Sequence, residues 1–466
     1  MRGQSKTKKK QPPPPPPPPA ATTTKNVNKI PIPRIPPATL VKHNQALIPR
    51  DSTTIISDPK ITIHETNAIL TSDKYVHFFT LTKNQWIQTT TVSLQNTHNL
   101  TLALSRDTAV IGVPYDRNSK GLLTGSAYIF ERDNKTHTWY QVKKIVPKKV
   151  QEYATVGYSV DICDNVVVVG VPELGGGNGG GSVYVYQRAE QFKWVPMGHL
   201  TMMDSNAFVD PNLSLAPAVP TSKFGTIVAL RAKILVVSNY QPNQFSSDTS
   251  LFVYEYDATL KNKWKLIQTD LLSTEGQRRH FGSHIALTVD GEGIFIGCHS
   301  EVNPTEILYY RRKNQMDVYG NRSYQLQQII TVQERCDISD FKVDGQSGNF
   351  ILGTLNSNRV YIYQQLYDLN TMEDQGWRMV CKVVNGGSSD NIEKFGSNVG
   401  MFGDTILVGS KNNVYSYSLE GWKAAKKKNK KKDKQLASSS QLRSSSSGRR
   451  FMSSMSPMRF RRSSGS

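Results

Sequence analysis

Four side chains able to hold a metal fall close together in the chain: His280, His284, Cys298 and His299. Two histidines four residues apart share a face on a helix and can ligate from it. This stretch reads as strand and turn, so that spacing aligns no ligand pair, and satisfied polar side chains are the better reading. The run Gly175-Gly-Gly-Asn-Gly-Gly-Gly181 looks like a phosphate loop. A phosphate loop needs a following helix whose N-terminus meets the anion, and a Gly-Lys-Ser/Thr end. A strand-like segment, Ser182 to Tyr186, follows instead, so a plain inter-strand loop is expected. No Gly-x-Ser-x-Gly, His-Glu-x-x-His or paired-carboxylate spacing stands out. The four cysteines, Cys163, Cys298, Cys336 and Cys381, are widely spaced without a Cys-x-x-Cys pair. That argues against a zinc site or a disulfide framework and suits a reducing compartment. No set of residues reads as catalytic, and an enzyme is not expected.

The elements that carry these residues repeat. Every tryptophan, Trp86, Trp139, Trp194, Trp264, Trp377 and Trp422, falls at one place in a recurring unit, and Tyr324 takes that place in a seventh copy. Ahead of the aromatic lies a strand of alternating bulk, such as Ser126-Ala-Tyr-Ile-Phe130 or Val360-Tyr-Ile-Tyr363. Ahead of that is a strand rich in Val, Ile and Leu, often closed by glycine, such as Ala109-Val-Ile-Gly112 or Ile406-Leu-Val-Gly409. Continuous runs of this kind suit strands buried on both faces. A first strand precedes each, such as Thr101 to Leu104, and the segment after the aromatic supplies a fourth. Seven units of four strands predict an all-β, seven-bladed β-propeller. The last unit lacks a fourth strand of its own. A β-like segment near the N-terminus must cross over to complete it, with Thr53-Thr-Ile-Ile-Ser57 the first candidate and Thr39-Leu-Val-Lys42 the second.

The unit resembles the FG-GAP repeat of the integrin α-chain head. The FG element stands as Phe224-Gly225, Phe281-Gly282 and Phe395-Gly396, weakened to Val156-Gly157; the GAP element stands as Gly112-Val113-Pro114 and Gly170-Val171-Pro172. WD40 and Kelch repeats fit less well, since neither a Gly-His…Trp-Asp pair nor a Gly-Gly doublet recurs. The resemblance implies a ring that binds partners and performs no chemistry. It also implies calcium loops of the form DxDxDG just before the second strand of several blades, where a hard cation collects six to eight oxygens. Here those positions hold short turns: Ser105-Arg106-Asp107, Cys163-Asp164-Asn165, Arg231-Ala232-Lys233 and Phe402-Gly403-Asp404. Two longer turns, with Asp290 and Glu292 in one and Asp344 and Asn349 in the other, are the calcium candidates, and ordinary Asp/Gly hairpin turns are the better reading. Asp116 and Asn118 sit on a different loop and make a weaker ligand pair. No cofactor is expected.

The basic charge lies at the ends. Residues 1–50 and 423–466 carry +10 and +13 of the formal +20, which leaves the middle of the chain close to −3. The expected organisation is a disordered Lys/Pro-rich tail over 1–52, the ring over 53–422, and a disordered Lys- then Ser/Arg-rich tail over 423–466. Lys426, Lys427, Lys428, Lys430, Lys431, Lys432 and Lys434 form a cluster that reads either as a nuclear-localisation signal or as a solubilising tail. Ser453, Ser456 and Ser463 follow or adjoin basic or proline-directed sequence and are candidate phosphosites. A protein partner bound by the loop faces is expected, with glycan binding as a finer option. Two long connections, Thr201 to Ser222 and Tyr310 to Tyr324, break the repeat spacing and are the first places to look for that partner. The alternatives are tail-driven binding to nucleic acid or an anionic membrane, and an enzyme with its site at the central channel. With no apolar segment after the first basic residues and no transmembrane run, a cytoplasmic or nuclear protein is expected; a different N-terminus would make it extracellular.

Overall fold

The structure, a computed structural model, describes residues 39–42, 47, 49 and 58–420, apart from several segments inside the last range of which 203–222 is the longest. All of these lie in the unit Pro37–Ser466. They form seven four-stranded antiparallel sheets, the blades, each running from an innermost to an outer strand. Blade I is Ile61–His64, Asn67–Thr71, Tyr75–Thr82 and Gln85–Ser93. Blade II is Thr101–Ser105, Thr108–Val113, Ser126–Arg132 and Trp139–Ile145. Blade III is Ser159–Cys163, Val166–Val171, Ser182–Glu190 and Lys193–Thr201. Blade IV is Ile227–Arg231, Ile234–Ser238, Leu251–Tyr256 and Trp264–Gln268. Blade V is Arg279–Leu287, Gly293–His299, Glu306–Arg312 and Tyr324–Thr331. Blade VI is Ile338–Val343, Asn349–Thr354, Arg359–Tyr367 and Asp374–Val384. Each innermost strand lies against the next, and that of blade VII, Val399–Phe402, returns to blade I.

Blade VII continues with Thr405–Gly409 and Val414–Glu420, and its outer strand is Thr39–Lys42, with Leu40 opposite Leu419. The ring is thus closed by the second of the two N-terminal candidates, and it takes in residues upstream of the boundary expected at 53. Thr53–Ser57 and both expected tails beyond this strand lie outside the described residues. The segment that follows is anchored twice on the same blade: the Leu47 amide donates to the Val414 carbonyl at 3.1 Å, and the Asp58 amide to the Lys411 carbonyl at 2.9 Å.

The second strands are buried almost throughout, as their apolar runs require. Buried side chains gather into seven clusters, and each joins two adjacent blades. A single sheet cannot cover both of its faces, so stability resides in the contacts between blades. The aromatic register is part of this packing. Trp139 of blade II stacks on Phe78 of blade I at 4.9 Å, and Trp377 of blade VI meets Phe295 of blade V at 4.9 Å. Trp86 Nε1 donates to Ser416 Oγ across the I–VII seam at 3.2 Å. Trp422 lies outside the described residues.

The FG and GAP elements form a latch between blades. The Gly225 carbonyl accepts a hydrogen bond from Ser159 Oγ at 2.9 Å and lies so close to Gly170 that a Cβ there would sit 2.1 Å from it. The Gly157 carbonyl repeats this with Thr101 Oγ1 at 2.9 Å and Gly112, and the Gly396 carbonyl with Ser339 Oγ and Gly353. Gly225 itself has φ of +93°. The phenylalanines before these glycines, Phe224 and Phe395, are fully buried against the preceding blade.

Candidate binding face

Successive antiparallel strands place the first and third turns of each blade on one face of the ring, and the second loops and the inter-blade connections on the other. On the latter face, blades II and III carry the densest polar network among the described residues. The loop 114–125 is held by Asn118 Oδ1, which accepts from the Lys120 and Leu122 amides at 2.9 and 3.1 Å. At its base Asp116 Oδ2 accepts from Ser126 Oγ and Tyr128 OH, both at 2.6 Å, and pairs with Lys144 Nζ at 2.8 Å. Burial alone would raise the Asp116 carboxyl; the bonds from Lys144, Ser126 and Tyr128 outweigh it and hold it below its ordinary value. Burial, and then the bond to Asp116, push the Tyr128 phenol up. Asp116 therefore anchors the loop, its Oδ2 taken by these three donors and its Oδ1 accepting from the Arg117 amide at 2.8 Å.

What this frame presents outward is aromatic and apolar. Tyr115, Leu122 and Tyr153 are 37%, 39% and 50% exposed. The Tyr153 amide donates to the Leu123 carbonyl at 2.6 Å, which joins the loop to the connection between blades. Tyr153 and Thr155 have φ of +61° and +59°, a left-handed conformation that a β-branched residue rarely adopts. Neighbouring Glu173 also has positive φ, at +54°, and one of its carboxylate oxygens is buried without a hydrogen-bond partner among the described residues. Burial pushes this carboxyl up, opposed by Lys223. Tyr158 and Tyr240 continue the tyrosine series into blades III and IV; burial raises both phenols, Tyr240 to about 12.

The opposite face holds the calcium candidates, and several of their oxygens accept from protein donors. Asp290 Oδ1 accepts from Thr288 Oγ1 at 2.6 Å and the Glu292 amide at 3.0 Å. Glu292 meets Arg322 with both oxygens, at 3.1 and 2.8 Å. Asp344 Oδ1 accepts from the Gly403 amide of blade VII at 3.1 Å, and the Asp344 amide donates to the Asn349 carbonyl at 2.9 Å. The two turns belong to blades V and VI and are not brought together. Ser105 ends its strand, and Arg106-Asp107 is a two-residue turn: the Arg106 amide donates to His64 Nδ1 at 3.1 Å, and Asp107 pairs with Arg132 at 3.4 Å. No group of three or more His, Cys, Asp or Glu side chains is placed to hold a metal among the described residues. Of the histidine cluster, His284 Nδ1 lies 3.0 Å from Ser283 Oγ and Cys298 is buried; the His280 and His299 side chains lie outside the described residues. Gly175 to Gly179 are likewise outside them, whereas Gly181 is bridged to Phe224 and opens the third strand of blade III. The candidate phosphosites and the lysine cluster also lie outside.

Residues 139–186, which run from the outer strand of blade II through the third strand of blade III, match the FG-GAP repeat family model. The ring carries an FG-GAP repeat. Its match spans the Gly157 and Gly170 latch elements and the strained Tyr153–Thr155 connection. Among solved structures, the ring is similar to the Cps50 (Swd1) β-propeller domain of Myceliophthora thermophila, with 9% identity over 82% of this chain and 99% of that one and a TM-score of 0.48. It is also similar to Hsv2 of Kluyveromyces marxianus, with 11% identity over 69% and 84% and a TM-score of 0.40. Sqt1 of Saccharomyces cerevisiae shows 9% identity over 78% and 84%, with a TM-score of 0.40. No curated protein matches the sequence.

Tyr115, Leu122 and Tyr153 carry no signal in the sequence alone. They stand out once the loop and the connection are seen to meet. The Tyr310–Tyr324 connection is a hydrogen-bonded hairpin with an apolar tip, and the longer part of Thr201–Ser222 lies outside the described residues.

Proposed function

We propose that the FG-GAP ring is a non-enzymatic interaction scaffold that binds a protein partner on the face formed by blades II and III. The observation that carries this reading is the convergence of Tyr115, Leu122 and Tyr153, exposed and apolar, on a loop pinned by the buried Asp116 network. Rigid tyrosines on a fixed frame bury large area at small entropic cost, and they dominate protein interfaces. The cations on the same segments, Arg117, Lys120 and Lys148, favour a partner segment carrying acidic residues. Of the acids nearby, Asp116 is engaged by Lys144 and reads as structural, while Glu152, beside Tyr153, is exposed.

The test is proximity labelling in cells with the full chain and with Tyr153→Ser/Leu122→Ser, followed by calorimetry with the purified candidate. A partner whose affinity falls at least about tenfold in the variant supports the reading. A partner that binds both forms alike, or binds only through the basic tails with steep salt dependence, overturns it.

A further inference from the structure

The third turn of blade V is an extended hairpin, and it is the most exposed apolar feature among the described residues. Met316, Val318 and Tyr319 at its tip are 67%, 92% and 59% exposed, and Val289, on the first turn of the same blade and face, is 53% exposed. The hairpin is not loose. The Lys313 amide donates to the Ser323 carbonyl and the Asp317 amide to the Asn321 carbonyl, both at 2.8 Å. Asp317 Oδ1 accepts from the Tyr319 and Asn321 amides at 2.9 and 2.7 Å, and its Oδ2 accepts from Asn321 Nδ2 at 3.2 Å. Arg322 donates to the Lys313 carbonyl at 2.8 Å and grips Glu292 with both of its terminal nitrogens, which ties the hairpin to the first turn. Lys265 Nζ of blade IV reaches the Tyr319 carbonyl at 3.4 Å.

A pinned turn of this kind holds three apolar side chains in water and gives them nothing to cover. The groups around the tip are mostly cations: Lys265, Arg311 and Lys313, with Lys261 on the neighbouring turn of blade IV. The nearby acids are satisfied within the protein, Asp317 by its own turn and Glu292 by Arg322. The tip thus sets three apolar side chains around one turn-bound carboxylate, Asp317, and its collar is mostly positive. We infer that this hairpin is an interfacial anchor, whose tip inserts among the acyl chains of an anionic lipid bilayer while the lysines meet the headgroups. Charge agrees, because the two ends of the sequence contribute +10 and +13. One apolar anchor holds weakly at a membrane, and a polybasic segment supplies the second contribution that stable binding needs. This inference stands apart from the partner face of blades II and III, which is on the other side of the ring.

The experiment is flotation of the full chain with vesicles of phosphatidylcholine alone and of phosphatidylcholine with about one-third phosphatidylserine, at low and at raised salt. The parent should float with the anionic vesicles. Val318→Asp/Tyr319→Ser should float roughly tenfold less at raised salt, where the tails are screened and the tip remains. Val318→Trp keeps the tip apolar, and its added fluorescence should be quenched by brominated lipid in anionic vesicles. Val318 touches little of the ring, so both variants should melt as the parent does. Flotation unchanged in the first variant, no quenching in the second, or a tip that proves to be covered by a bound protein would each overturn the inference.

Discussion

Glu131, on the third strand of blade II, is fully buried, and Arg188, on the third strand of blade III, donates to its carboxylate. The same carboxylate accepts from Trp194 Nε1 at 2.6 Å and from the Phe192 amide at 3.1 Å. The device recurs two blades on, where Arg312 of blade V meets Glu255 of blade IV at 2.6 Å, again 57 residues away in sequence. A buried ion pair adds little net stability but is costly to break, because the abandoned charge stays buried. Arg188→Met should therefore destabilise the ring by roughly 3–5 kcal/mol. Arg312→Met should cost less, since Glu255 is 32% exposed and water can replace the partner. Denaturant unfolding of the two variants checks the order, and equal losses would contradict it.

The glycine latch predicts a second ordering. Gly170→Ala drives a methyl into the Gly225 carbonyl and should cost roughly 2–3 kcal/mol, the scale of overpacking. Gly121→Ala meets nothing within 4 Å and pays only for its φ of +79°, about 1–2 kcal/mol. Ser159→Ala removes one hydrogen bond to the same carbonyl and should cost about 1 kcal/mol. Melting of the three proteins gives the ranking.

These two devices differ in how far the sequence betrays them. Phe224-Gly225 and Gly170 were legible because a Cβ at Gly170 would sit 2.1 Å from the Gly225 carbonyl, so glycine must recur in register. The tryptophans were legible for the same kind of reason, since Trp86, Trp139, Trp194, Trp264 and Trp377 each fill a wedge between two blades. Glu131 gave no such signal: it is one charged residue at the end of a strand, and its partner is fixed only when blade III docks. The closing strand was ambiguous because Thr39–Lys42 and Thr53–Ser57 are both rich in β-branched residues. The pairing decides between them: Thr39–Lys42 lies antiparallel to Val414–Glu420. Tyr115, Leu122 and Tyr153 could not be picked out, because surface apolar residues are ordinary until a fold gathers them.

Acid should weaken the ring through two histidines whose folded state disfavours the charged form. Burial lowers His284 from 6.5 to about 4, with Asp340 opposing and Lys342 and Lys60 assisting. Burial likewise lowers His64 to about 4, helped by Arg231 and Arg106. A base with a depressed folded pKa is neutral in both states above 6.5 and binds its proton in the unfolded state first as pH falls. Stability is therefore flat above pH 6.5, declines from 6.5 to about 4, and levels off for these groups below that. For His284 the loss approaches roughly 3 kcal/mol. Asp340, held low despite burial by Lys342 and the Val399 amide, adds its own loss only at more acid pH. His284→Asn should flatten the slope between 6.5 and 4; a variant with the parent's slope would contradict the assignment.

Calcium gives a direct test of the turns at blades V and VI. Glu292 is already neutralised by Arg322, and Asp290 caps its own turn. Added calcium should leave the melting temperature unchanged, as should chelation. A bound ion present at a hundred times its dissociation constant would add about 2.7 kcal/mol, an easily measured rise. Such a rise, abolished by Asp290→Asn or Asp344→Asn, would show that a turn reorganises to bind metal.

The seam between blades I and VII makes the N-terminal segment a structural part of the ring. Thr39–Lys42 supplies the outer strand of blade VII, Leu47 is fully buried in the I–VII core, and Asp58 pairs with Lys394 at 2.7 Å. Removing residues 1–37 should leave the melting temperature unchanged, because the closing strand survives. Removing residues 1–44 exposes the edge of Val414–Glu420 and should lower stability by several kcal/mol, since a ring is held by every inter-blade contact. Leu47→Ala, which keeps the strand and opens a cavity, should fall between them at roughly 2–4 kcal/mol. Limited proteolysis adds a location: early cleavage in the longer truncation should fall in blade VII. If both truncations melt alike, the closure by Thr39–Lys42 is wrong and another segment completes the ring.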